Sequence, residues 1–97
     1  MKINAQQAVD TFGDKLIGIQ VITQKEGGWP GGLCEITDLG TDENAPEIVL
    51  NVKRLLKRTK EMDDFEIDDE CGVFNYEEIE ILNANRLARK HQINVNG

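Results

Sequence analysis

The chain has 97 residues, 39% of them apolar, and a formal charge of −7 at neutral pH. That length makes one domain with a modest core. The acidic balance argues against a general nucleic-acid binder, because phosphate neutralisation dominates such affinity. No apolar run approaches the roughly eighteen residues of a membrane span, and no basic region followed by an apolar stretch opens the chain. The expectation is a cytoplasmic protein with no membrane partner.

Residues 1–13 read as a short helix. Asn4 is the N-cap and Gln7, three positions on, completes a capping-box pattern. Ala5, Ala8, Val9 and Phe12 share one helical face, and Gly13 stops the helix. Two turns do not hold alone, so this helix must pack on something. The alternative use of its apolar face is a dimer contact.

Residues 15–23 read as a first strand in which Ile17, Ile19 and Val21 alternate with Gly18 and Gln20. Gly18 inside it suggests a bend or a close backbone approach. The loop GGWPGG, residues 27–32, follows and holds four of the nine glycines and the only tryptophan. Pro30 then Gly31 matches the centre of a type II turn, which requires φ > 0 at Gly31. Trp29 precedes proline and is held extended. Its indole either covers an open end of the core or stands partly exposed as an anchor.

Residues 33–39 are the second strand, with Cys34 and Ile36 pointing inward, and residues 41–46 a polar turn. Residues 47–53 are the third and clearest strand, alternating Ile48, Leu50 and Val52 with Val49, Asn51 and Lys53. Residues 52–60 then carry five basic side chains and residues 61–70 seven acidic ones, a pattern that fits a solvated excursion. Residues 71–74 are a fourth strand, 75–78 a single turn of tight helix, and 79–82 a short last strand. Residues 83–91 form a helix with a basic end that suits its dipole. Residues 93–97 read as a loose tail.

From residue 16 to residue 82 this pattern resembles the SH3-like small barrels. The likeness rests on IGIQVIT, on GGWPGGLCEITDL, on EIVLNVK and on the turn-plus-strand GVFNYEEIEIL. Gly32 with Leu33, Cys34 and Ile36 is also similar to the KOW subtype, in which a glycine opens a strand of alternating apolar residues. In style the chain looks like the short uncharacterised proteins carried on bacterial mobile gene cassettes. The resemblance implies a mainly β fold: an SH3-like five-stranded barrel or a bent antiparallel sheet, with a short helix at each end.

The resemblance also implies where a ligand would bind. In such barrels it meets a groove between the first long loop and the tight turn before the last strand. Mapped by position, that groove brings Trp29 near Tyr76, with Phe74 beside them. Aromatics there bind extended, often Pro-rich peptides, and Glu26, Glu77 and Glu78 would favour basic partners. The KOW likeness implies RNA as the alternative partner, through the basic run Lys53, Arg54, Lys57, Arg58 and Lys60. A further alternative is a homodimer or larger homo-oligomer through edge strands or the terminal helices.

Chemistry finds little footing. The acidic run 63–69 fails the EF-hand pattern: counted from Asp64, Asp69 stands where glycine is needed and Asn75 where the bidentate glutamate is needed. GGWPGG lacks the lysine ending of a phosphate loop. His91 is the only histidine, so Cys34 and Cys71 lack the further ligands a zinc site needs. Both cysteines read as buried free thiols of a reducing compartment. Glu77, Glu78 and Glu80 are acid–base candidates by residue type only. The expectation is a non-enzymatic interaction module with no cofactor and no metal.

Overall fold

A computed structural model describes residues 1–25, 29, 31–40, 43–55 and 69–91. In chain order the elements are β1 (Lys2–Asn4), α1 (Ala5–Phe12), a 3-10 turn (Gly13–Leu16), β2 (Gln20–Thr23), β3 (Gly32–Leu39), β4 (Ile48–Arg54), β5 (Glu70–Phe74), β6 (Glu78–Ile81) and α2 (Ala84–His91).

The six strands form one sheet in the order β1-β6-β2-β3-β4-β5, and every described pairing is antiparallel. The sheet is open, so of the two architectures expected from the sequence the antiparallel sheet is the one observed and the closed five-stranded barrel is not. It is nevertheless strongly curled. Only three residues join Phe74 to Glu78, a reach of at most about 14 Å. In a flat sheet, four strand spacings would hold β5 and β6 about 19 Å apart. Two register shifts ease the bend, one in β3 between Ile36 and Asp38 and one in β4 between Ile48 and Leu50. An extra residue at such a point bends its strand and increases its twist.

The core lies on the concave face. One row of paired positions crosses it from Ile81 through Val21 and Cys34 to Arg54, all of them buried. Ile36, Leu50, Val52 and Ile79 extend the same face. Helix α1 packs on it through Ala5, Ala8 and Phe12. Its capping box is complete: the Gln7 N–H donates to Asn4 Oδ1 at 2.8 Å, and the Asn4 N–H donates to Gln7 Oε1 at 3.1 Å. Helix α2 docks through Ala84, Leu87 and Ala88, and its buried face is larger than its single leucine suggests.

Two elements differ from the sequence reading. The expected first strand begins only at Gln20, because residues 13–16 wind into a 3-10 turn and Gly18 adopts φ +88°. There the Gly18 N–H donates to the Ile36 carbonyl and the Ile36 N–H to the Ile19 carbonyl, so the bend expected at this glycine is real. The second is β1, which the capping-box reading absorbed into the lead of α1. Its pairing with β6 is set by partners some eighty residues away along the chain.

Candidate functional site

The turn between β5 and β6 is held by hydrogen bonds to Glu47, to the start of α1 and within itself. The Asn75 N–H donates to the Glu47 carbonyl at 2.8 Å. The Asn75 and Glu77 carbonyls accept the N–H groups of Gln6 and Ala5, so the turn satisfies two donors that the start of α1 leaves without helical partners. The Glu77 carboxylate accepts the Phe74 N–H at 2.8 Å, and the Glu77 N–H donates to the Phe74 carbonyl. On this braced turn the Tyr76 ring stacks on Phe74, with centroids 5.5 Å apart and planes 5° from parallel. Tyr76 is 64% exposed, the most exposed large apolar side chain described.

Trp29 lies beside this turn but is enclosed. Its side chain is 5% exposed, and its Nε1–H donates to Thr23 Oγ1 at 3.0 Å. With Glu77 and Glu78 it lines a cleft of about 10 Å³ between the end of β2 and strands β5 and β6, room for about one water. The indole therefore fills the side of the curl that the sheet leaves open. This corrects the groove reading: Trp29 is cover for the core, and an enclosed indole presents almost no area to a partner. Glu78 is exposed and accepts a hydrogen bond from Gln24 Nε2 at 3.1 Å. Of the five residues assigned to the groove, Trp29, Glu77 and Glu78 share the small cleft, Tyr76 stands on the adjoining turn, and Glu26 lies outside the described residues.

The basic run fares differently from its sequence reading. Arg54 is fully buried on the core face beside Cys34, so its guanidinium does not reach a phosphate, and its place in a nucleic-acid surface is corrected. Lys53 pairs with Glu35 at 3.7 Å. Lys57, Arg58 and Lys60 lie outside the described residues, as does the acidic run 63–68. A signal for Arg54 was present in β4: it stands in phase with Ile48, Leu50 and Val52.

Neither cysteine is activated. Burial pushes the Cys34 thiol above its ordinary range, against a hydrogen bond from Thr23 and the nearby Arg54 charge. Burial also raises Cys71, helped by the Glu77 carboxylate and then by Cys34. A thiol held protonated is a poor nucleophile at neutral pH. Among the described residues no group of three or more His, Cys, Asp or Glu could hold a metal ion, and no helix is long and apolar enough to cross a membrane.

One concavity was not anticipated. A groove of about 790 Å³ runs between the joint of the 3-10 turn with β2 and one face of α2. Arg86 and Lys90, four residues apart, share that face. The sequence reading took those charges as the basic end of a helix; their spacing was the signal that they also make a surface. No protein-family model matches the chain, and neither a curated protein nor a solved structure matches it.

Proposed function

We propose that this chain is a non-enzymatic protein-interaction module that docks a short extended peptide at the turn between β5 and β6, with Tyr76 as the anchor. One observation carries the reading. Tyr76 is 64% exposed, yet its ring is already ordered by the stack on Phe74 and by a turn pinned to its neighbours. An exposed aromatic that is ordered in advance supplies contact area with little further loss of side-chain freedom. Glu77 and Glu78 follow it in the chain and favour a partner carrying lysine or arginine, which can also lie over the tyrosine ring.

The tight turn ahead of the last strand and the curl of the sheet support grouping the chain with the SH3-like small barrels, and Trp29 marks the side where the curl stays open. The protonated thiols support the non-enzymatic reading. No specific observation favours nucleic acid over a peptide at this turn.

The test is an array of extended dodecapeptides, Pro-rich, basic and acidic, followed by titration of the tightest binder by fluorescence polarisation. The expected binder is basic or Pro-rich, and Tyr76→Ala weakens it about tenfold or more with an unchanged far-UV circular dichroism spectrum. Equal binding by the wild type and Tyr76→Ala overturns the reading.

A further inference from the structure

The groove against α2 concentrates cations in an acidic protein. Lys15 contributes from the 3-10 turn, and Arg86 and Lys90 from α2, with His91 at the end. No carboxylate is among the described lining residues, although the chain holds 18 acidic side chains against 11 basic ones. Among the described residues none of Lys15, Arg86 and Lys90 has an ion-pair or side-chain hydrogen-bond partner. Clustering like charges costs free energy in the free protein, and the helix dipole accounts only for those in the last turn of α2. It does not account for Lys15, which belongs to another element. The floor is apolar: Ile17, one of three exposed large apolar side chains among the described residues, lies there at 47% exposure, with Leu82 and Leu87.

We propose that this groove is a second docking site, distinct from the Tyr76 turn, and that its occupant is an acidic, amphipathic segment of another protein. Aliphatic side chains of that segment rest on Ile17 and Leu82, and its carboxylates meet Lys15, Arg86 and Lys90. The charge pattern and the apolar floor together select this occupant. A strand of nucleic acid would also bring anions, but a single-strand site combines its basic groove with aromatic rings on which bases stack, and the groove holds no Phe, Tyr or Trp among its described lining residues. A longer polyanion would also run out onto the acidic remainder of the surface. A volume of about 790 Å³ lies in the range of a built pocket, about 300–1,000 Å³.

A random dodecapeptide display library selected on the immobilised full chain tests this, with counter-selection on the triple variant Lys15→Glu, Arg86→Glu, Lys90→Glu. These positions are on the surface, and circular dichroism checks that the variant folds. The expected result is enrichment of peptides combining Asp or Glu with Leu or Ile. Their Kd rises about tenfold or more in the triple variant and severalfold in Ile17→Ser, which keeps every charge. It also rises with added salt as the ion pairs are screened, and it is unmoved by Tyr76→Ala. That last arm separates this site from the turn: basic peptides lost in Tyr76→Ala belong to the other reading, and either can fail alone. Absence of acidic peptides from the selected pool overturns the proposal, as does undiminished binding of them to the triple variant. A dodecamer of thymidine that binds more tightly than those peptides, and is lost in the triple variant, overturns it in favour of nucleic acid.

Discussion

The indole Nε1–H of Trp29 donates to the hydroxyl of Thr23 at 3.0 Å, and both side chains are buried. The same hydroxyl lies 3.4 Å from the Gly32 carbonyl and 3.6 Å from Cys34 Sγ. Thr23 thus joins the loop to both strands that flank it, and the only tryptophan becomes part of the core.

That contact predicts how the two residues respond to substitution. Trp29→Ala removes a large buried side chain and lowers stability by about 3–5 kcal/mol. Thr23→Val keeps the shape but strips the indole of its acceptor, at a cost of about 1–3 kcal/mol. Urea unfolding measures both, and acrylamide quenching of the single tryptophan should be weak in the wild type and strong in urea. A Trp29→Ala protein as stable as the wild type would mean that the indole adds nothing to the core.

Gly31 permits this arrangement. It has φ +75°, and a Cβ there would stand 2.7 Å from the Thr23 carbonyl oxygen and 2.8 Å from the Gln24 carbonyl carbon. Gly18 has φ +88° but faces open space. Gly18→Ala therefore meets backbone strain alone and costs about 1 kcal/mol. Gly31→Ala meets strain and a clash with backbone and costs more, about 1–3 kcal/mol beyond that. The two urea midpoints compared side by side separate the effects. The tryptophan emission should shift to the red only in Gly31→Ala, as the loop lifts from β2.

The thiols give the alkaline stability a definite sign. Both hold their protons to higher pH in the folded chain than the ordinary value of 9.0. Their stabilising contribution is complete below the unfolded value, and it is lost as pH rises through that value toward the folded one. The urea midpoint should fall as the pH is raised through and above 9.0, and the fall should shrink in the Cys34→Ala, Cys71→Ala double variant. An equal fall in both proteins would place the alkaline response in other groups.

Much of the fold was legible because it is written locally. The Asn4–Gln7 capping box, the inward Cys34 and Ile36, the alternation of Leu50 and Val52, and the positive φ at Gly31 each depend on a few neighbouring residues, and all are observed. Strand β1 was not legible: three residues carry too little periodicity, and their pairing with β6 is decided across the length of the chain. The candidate site was legible in part. Tyr76 and the joint that carries it were named from the sequence, although that joint is a turn where a turn of helix was expected, and Trp29 lies beside it buried, where an open groove was expected. Burial of an aromatic on a glycine-rich loop depends on what stands opposite it, and here that is the side of a curled, open sheet.

The sequence alone determined a small, acidic, mainly β chain with a capped helix at its start and a basic helix near its end, since composition and short-range periodicity settle those features. Only the tertiary structure decided that the sheet stays open, that Trp29 and Arg54 turn inward, and that Lys15 and Ile17 join Arg86 and Lys90 across one groove. The physical reason is distance along the chain. Each of those outcomes is set by contacts between segments whose meeting depends on the register of the whole sheet, and no short window of residues carries that information.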